Sequence, residues 1–237
     1  MKTRIFILTS IMISAAFMGY SQDNLYFNRS LQDFASKMQI SSGTPGYRAG
    51  DRDDSAVEGS EYFNGNFANG EIYTIEKKVF TDIPMRYNAY HGQIEIMMPD
   101  QTIRILGNID NIERIVFDSS TYVYRSFAIG GKMIAGFLVQ ICKGKNQLLR
   151  RDYKVFIAGK PSDGIVNEIP PKIVDRPAEY YIDTGTGMPK YFRSSRELSD
   201  ILGRNSQEIN SFVKKEKINF KKEKDLVKLF LYIDSLN

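Results

Sequence analysis

The clearest alternation of apolar and polar residues runs from Ile83 to Met98 and predicts a β-hairpin. Its two runs flank His91-Gly92, which suits a two-residue loop because Gly adopts positive φ freely and His tolerates it better than most residues. In that register Tyr90 lies opposite Gln93, and one face of the hairpin is apolar throughout. The other face carries Arg86, Asn88, Tyr90, Gln93 and Glu95.

The same period of two continues from about Phe63 to Ala158, with short turns between the runs. Closely spaced strands of this kind predict an antiparallel meander that closes into a barrel or folds into a sandwich. The predicted strands are Gly70–Lys77, Ile83–Tyr90, Gln93–Met98, Thr102–Leu106, Ile112–Phe117, Thr121–Phe127, Lys132–Cys142, Gln147–Arg151 and Tyr153–Ile157.

Helical periodicity replaces alternation near the end of the chain. Ser194 and Glu197 form a capping box for a helix that ends at Gly203. A second helix begins at Asn205, and a third runs from about Lys222 to Ser235. The sequence therefore predicts an α+β protein, in which an antiparallel β meander precedes a small C-terminal helical subdomain.

Composition along the chain divides it into five parts. Residues 1–21 form a signal peptide, and the polar residues 22–60 form a partly disordered arm or linker. The antiparallel β domain occupies 61–158. Residues 159–193 are an extended linker with a small hairpin around Thr184–Gly187, and 194–237 are the C-terminal helices.

The first residues indicate export. Lys2 and Arg4 precede an apolar run, Ile5–Met18, and Gly19-Tyr-Ser21 supplies small residues at the cleavage positions. We expect a mature chain that begins at Gln22, with no lipobox cysteine and no transmembrane segment. The expected location is the periplasm or the medium.

Charge, cysteine and histidine restrict the chemistry. The net charge of +4 falls to +2 once Lys2 and Arg4 are removed with the signal, so nothing points to nucleic acid as a partner. Cys142 is the only cysteine and cannot form an intramolecular disulfide. His91 is the only histidine, which excludes every metal site with two histidines. We predict no metal, no cofactor and no catalytic residue.

Two acidic motifs are better explained as turns and linkers. Asp183-Thr-Gly185 resembles the active-site triplet of aspartic proteases, but the chain has one copy. The stretch Ile201–Asn205, which resembles the second signature of retroviral proteases, follows too soon for that fold. Asp51–Glu58 resembles a calcium loop, yet Ala56 replaces the required Gly and Tyr62 replaces the bidentate Glu.

Two further surfaces are open to alternative interpretations. A basic cluster could contact an anionic glycan or lipid, although lysines at turns and sheet edges commonly protect against aggregation. The chain also has 14 Tyr and 15 Phe but no Trp, and these rings suit sheet packing better than a sugar platform. The members of the basic cluster are Lys143, Lys145, Arg150, Arg151 and Lys154.

The motif Met85-Arg-Tyr-Asn-Ala-Tyr90, followed by Glu95, resembles a family of secreted Bacteroidota cell-envelope proteins. The similarity continues through Phe117–Arg125, Leu148-Leu149 and the Leu226–Leu236 helix. The resemblance implies a location in the cell envelope. It implies no activity and no functional residue.

These observations favour a non-catalytic, exported envelope accessory or binding protein. Its expected partner is another envelope protein, and a small ligand or a glycan remains an alternative. The predicted binding residues are Arg86, Asn88, Tyr90 and Glu95. Two other functions stay open, namely a glycosidase-like hydrolase that depends on carboxylates, and a β barrel that binds a ligand in its lumen.

Overall fold

The computed structural model describes residues 57–107, 109–162, 167–203 and 206–236. The predicted signal peptide and the arm as far as residue 56 lie outside these ranges, as do Asn205 and most of the Asp51–Glu58 motif. The described part of the chain folds into one large antiparallel sheet, a two-stranded ribbon and three helices.

The described part of the chain contains twelve strands: β1 Ala68–Thr74, β2 Val79–Asn88, β3 Gln93–Met97, β4 Ile103–Ile105, β5 Ile112–Phe117, β6 Ser120–Ile129, β7 Lys132–Cys142, β8 Gln147–Arg151, β9 Lys154–Ile157, β10 Lys172–Asp175, β11 Glu179–Asp183 and β12 Lys190–Tyr191. Ten of them form the large sheet, in the order β4-β3-β2-β1-β5-β6-β7-β8-β11-β12, and the sheet curls into a half-barrel. This confirms the predicted β meander with C-terminal helices, although β1 lies between β2 and β5 and interrupts the meander.

The register predicted for the central hairpin was wrong by two residues. Asn88, not Tyr90, lies opposite Gln93, so the loop contains four residues. Gly92 has a φ of +68°, but His91 does not adopt the second positive φ that a type I′ loop requires. Instead the Asn88 side chain accepts a hydrogen bond from the His91 amide at 3.0 Å. A shift of two residues keeps every side chain on its predicted face.

Curling brings distant strands together at one end of the sheet. The hydroxyl of Tyr87 on β2 donates to the carbonyl of Asp152, which follows β8, at 3.2 Å. The Lys154 amide donates to the Ala89 carbonyl at 3.1 Å. The rings of Tyr87 and Tyr122 lie 5.4 Å apart although β1 and β5 separate their strands, so both rings face the inside of the curl.

Buried apolar side chains pack together on the inner face of the curl. This argues against a ligand-filled β barrel, because a lumen of that kind must be empty of side chains. The fully buried members of this cluster are Ile72, Ile83, Met85, Ile94, Ile96 and Ile115.

A second apolar cluster joins the helices to the sheet. Leu148 on β8 packs in it with side chains from all three helices, whereas its neighbour Leu149 points to a smaller cluster on the opposite face. The helices are α1 Ser195–Leu202, α2 Ser206–Lys215 and α3 Glu223–Ser235. No helix in the described ranges is long and apolar enough to cross a bilayer.

The predicted helix cap is confirmed. Ser194 Oγ accepts a hydrogen bond from the Glu197 amide at 3.3 Å, and Glu197 in turn accepts one from the Arg193 amide at 2.8 Å. Gly203 ends α1 with a φ of +65°.

Two segments assigned to linkers are parts of sheets. The hairpin of β11 and β12 joins the large sheet through β8 instead of standing alone. Glu58 forms a parallel bridge to Lys172 of the β9–β10 ribbon, and its carbonyl accepts the Ile173 amide at 2.8 Å. Alternation did not reveal these pairings because the partner strands are far away in sequence.

We expect Leu148→Ala to lower the free energy of unfolding by about 2–5 kcal/mol, because it opens a cavity where the sheet meets the helices. Leu231→Ala is the matched control, since Leu231 is 65% exposed and its removal should change stability by less than about 0.5 kcal/mol. Urea denaturation followed by circular dichroism measures both. Equal losses for the two variants would contradict this account of the core.

Candidate functional site

A buried carboxylate on β3 organises the polar face of the central hairpin. Glu95 is 6% exposed, and it accepts a hydrogen bond from Arg86 Nε at 2.7 Å. The Tyr62 hydroxyl donates to both carboxylate oxygens at 3.0 and 3.1 Å. Because a buried carboxylate must be paired to be tolerated, these donors compensate for the loss of hydration.

The remaining donors of Arg86 hold the segment that precedes β1. One terminal nitrogen donates to the Tyr62 hydroxyl at 2.8 Å, and the other donates to the Gly65 carbonyl at 3.1 Å. The guanidinium carbon also lies 4.0 Å from the centre of the Tyr62 ring and 4.5 Å from that of Phe67. The planar guanidinium of Arg can stack on the rings and donate several hydrogen bonds in fixed directions. The compact ammonium of Lys cannot do both, so Lys would not replace Arg86 at this position.

Asn88 links the carboxylate to the hairpin loop. It is 1% exposed, and its amide nitrogen donates to Glu95 at 3.0 Å and to Glu61 at 2.7 Å. Glu61 also approaches the imidazole of His91, with 3.4 Å between Oε1 and Nε2. The Glu61 carbonyl accepts the amides of Ala89 and Tyr90.

The structure therefore brings together three of the four predicted binding residues, Arg86, Asn88 and Glu95. Their partner is the chain's own segment 57–67, which covers a face that the sequence left open as a groove. Tyr90 does not join the carboxylate. Its ring packs edge-on against His91 and borders a separate cavity of about 380 Å³.

Glu61 and Tyr62 belong to this site although nothing in the sequence marks them beyond their position at the start of the predicted β domain. No periodicity marks them, because they lie in an irregular segment and contact residues about 30 positions away. Burial, and secondarily the charge of Glu95, raises the pKa of Tyr62 to about 12. The phenol therefore stays protonated and remains a donor to Glu95 at neutral pH.

A cavity of about 290 Å³ lies beside this network, at the rim of the half-barrel. Its aromatic wall consists of Tyr87, Tyr122, Phe117 and Phe63, and the rings of Phe117 and Tyr122 stack at 4.7 Å. Burial raises the pKa of Tyr122 to about 12 and that of Tyr87 further, so both phenols are neutral. We call this space the rim cavity.

Charged groups of both signs border the rim cavity, and each already has a partner. Arg150 donates to Asp152 at 2.8 and 3.0 Å and also to Glu223 on α3, which connects the cavity to the helices. Asp118 accepts a hydrogen bond from the Asn64 side chain at 3.3 Å. The cavity thus offers oriented donors and acceptors beside aromatic faces, which is the usual composition of a binding pocket.

The other motifs have structural partners. Asp183 is 5% exposed and accepts hydrogen bonds from Arg125 Nε at 3.1 Å and from the Gly185 amide at 2.9 Å, as in a turn. In the basic cluster, Arg151 pairs with Glu179 at 2.9 Å, and Lys154 pairs with Asp175 at 2.8 Å.

The thiol of Cys142 and the acidic side chains bear on two further kinds of chemistry, nucleophilic catalysis and metal binding. Cys142 is partly buried, and burial raises the pKa of its thiol above the ordinary value. Among the residues described, no group of three or more His, Cys, Asp or Glu side chains is arranged to hold a metal ion.

Replacing Arg86 with Met should lower the free energy of unfolding by about 3–5 kcal/mol, because it leaves the Glu95 carboxylate buried without its cation. Adding Glu95→Met to the same chain should recover much of that loss. Lys77→Met is the control, since its ion pair with Glu113 is exposed to solvent and should contribute little to stability. Additive effects of Arg86→Met and Glu95→Met in denaturant unfolding would contradict a direct interaction.

The raised pKa of Tyr62 predicts a loss of stability at alkaline pH. The folded state favours the protonated phenol, so its contribution is complete below pH 10 and is lost as the pH rises through about 12. In an ultraviolet titration, wild type should show one phenolate absorbance step that Tyr62→Phe lacks. We expect the midpoint of that step near pH 12. Tyr232→Phe provides a comparison at a residue outside this network. A midpoint near 10 for Tyr62 would show that Glu95 and burial do not act on it.

No protein-family model, curated protein or solved structure matches this chain. The resemblance of Met85–Tyr90 to secreted envelope proteins therefore stays an expectation from the motif. What the site does has to be inferred from its geometry.

Proposed function

We propose that this chain is a non-catalytic accessory or binding protein of the bacterial cell envelope. The signal-like sequence before Gln22 supports export, and the single His and Cys support a role without nucleophilic catalysis. The observation that carries the proposal is the rim cavity, where aromatic faces and oriented polar groups meet beside a rigid network.

The polar face of the hairpin acts through this cavity and not as an open groove. Arg86 contributes to the cavity wall while its guanidinium holds Tyr62 and Gly65. The segment it holds contributes Phe63, Asn64 and Asn66 to the lining of the same cavity. Arg86, Asn88 and Glu95 are therefore positioning residues, which build the wall of the binding site before a ligand arrives.

The occupant that fits best is a segment of another envelope protein or a small polar ligand with one flat apolar face. A side chain or ring can lie against Tyr122 and Phe117, while Asn66 and Ser120 provide uncharged polar contacts. The volume of about 290 Å³ lies at the small end of ligand pockets, so only one group of the partner enters it.

A glycosidase-like hydrolase is the second candidate, because two carboxylates, Asp118 and Asp152, border the same cavity. An enzyme of this class needs one acid and one base or nucleophile on either side of the bond. Here Asp152 accepts a hydrogen bond from Arg150, and Asp118 accepts one from Asn64. Because both carboxylates already have a partner, the arrangement favours ligand binding over catalysis. Glycan hydrolysis that Asp152→Asn abolishes would favour the enzyme instead.

Filling the rim cavity should abolish binding without unfolding the protein. We expect tagged Ser120→Trp to lose the partner that wild type retains after purification from native envelopes, because the indole occupies the cavity. Thr81→Trp is the matched control, since Thr81 is exposed on β2 and does not border the cavity. Mass spectrometry of the three eluates measures the difference. Equal recovery of every protein with Ser120→Trp and Thr81→Trp would exclude the rim cavity as the binding site.

A further inference from the structure

The β6–β7 hairpin extends beyond the strands on either side of it. Pairing between β6 and β7 continues as far as Ile129 opposite Lys132. On one side, β5 pairs only with residues 120–122 of β6, and on the other, β8 pairs with β7 only from Val139 onward. Residues 126–136 therefore form a two-stranded projection, which we call the projecting hairpin.

The projecting hairpin is apolar and exposed. Its sequence is Ser-Phe-Ala-Ile-Gly-Gly-Lys-Met-Ile-Ala-Gly, with Lys132 as the only charged residue. Met133 is 59% exposed and Ile134 is 36% exposed. No Asp or Glu occurs between Ser119 and Arg151, so no acidic side chain of these strands lies near the tip.

The base of the projection is fixed, and its tip is well formed. Phe127 is buried, and its ring contacts that of Tyr181 on β11 at 5.1 Å. At the tip, Gly130 and Gly131 have φ values of +54° and +80°, as a tight two-residue loop requires. The exposed apolar residues are therefore presented on a rigid element.

We propose that the projecting hairpin docks on the surface of an anionic lipid bilayer. A β-hairpin satisfies the facing N–H and C=O groups between its two strands, so its tip can enter the interface at a low cost in lost hydrogen bonds. From Ser126 to Ile129 the strand rises about 10 Å, which matches the depth that interfacial elements reach. Lys132 can extend its ammonium to lipid phosphates while its stem stays in the apolar layer.

The neighbouring edge of the sheet supports the same orientation. β12 contacts β6, and its exposed residues Lys190 and Tyr191 combine a cation with an amphipathic ring. Met188, just before β12, is 45% exposed. Tyrosine at the headgroup level and lysine near phosphates are typical of membrane-surface contacts.

A lipid surface fits this projection better than a protein partner does. A stable protein interface buries about 800 Å² on each side and is centred on aromatic or arginine anchors. The exposed residues between Ser126 and Gly136 are Met, Ile, Ala, Gly, Ser and Lys, with no exposed ring. They are suited to entering a fluid layer, which needs no complementary pocket.

The absence of tryptophan provides a direct test on the mature chain. In Met133→Trp the single indole reports the environment of the tip, and in Ile103→Trp it reports the exposed edge strand β4, where Ile103 is 50% exposed. Equimolar phosphatidylglycerol and phosphatidylcholine vesicles should shift the emission of Met133→Trp to the blue and leave that of Ile103→Trp unchanged. Unchanged emission from Met133→Trp at high lipid overturns the proposal.

Sedimentation with the same vesicles tests the contact without an added indole. Met133→Glu should reduce the bound fraction on the order of tenfold, because a charge replaces the thioether that enters the apolar layer on binding. Ile103→Glu should bind as wild type does. Lys132→Gln should remove the preference for phosphatidylglycerol over pure phosphatidylcholine vesicles. Equal sedimentation of wild type and Met133→Glu overturns the proposal. The experiment with Ser120→Trp is independent of it, because loss of a protein partner in that variant concerns only the rim cavity.

Discussion

Burial of one carboxylate, Glu95, determines much of what surrounds the central hairpin. An ionised group inside a sheet is tolerated only with a cation and enough hydrogen-bond donors. Arg86 and Asn88 on the neighbouring strand supply part of this, and Tyr62 supplies the rest from outside the sheet. The segment before β1 is therefore anchored to the hairpin by electrostatics and ring stacking more than by apolar burial.

This anchoring connects the fold to the proposed binding site. The same segment that carries Tyr62 also carries Phe63 and Asn64 to the wall of the rim cavity. Arg150 also lines the cavity, and its hydrogen bond to Glu223 connects the cavity to α3. The cavity thus lies where the anchored segment meets the curled sheet, and the helical subdomain reaches it only through the Arg150–Glu223 ion pair.

Alternation along the chain was a reliable guide to the strands and a weaker one to their pairing. The large core and the cap at Ser194 follow from local signals. The hairpin register did not follow from local signals. The loop conformation depends on the hydrogen bond that the Asn88 side chain accepts from the His91 amide, and on the Ala89 and Tyr90 amides that donate to the Glu61 carbonyl. The sequence placed Arg86 and Asn88 on the same face as Glu95, but it did not reveal that Tyr62 also donates to this carboxylate.

The α+β class, the apolar and polar faces of the strands, the helix boundaries and the presence of a single His and a single Cys could all be read from the sequence alone. These properties depend on periodicity, caps and composition, which act over a few residues. The curl of the sheet, the position of segment 57–67 over the hairpin, and the convergence of Arg86 with Arg150 and Asp152 at one cavity became evident from the folded structure. Those features depend on contacts between residues far apart in sequence, and no local pattern specifies such contacts.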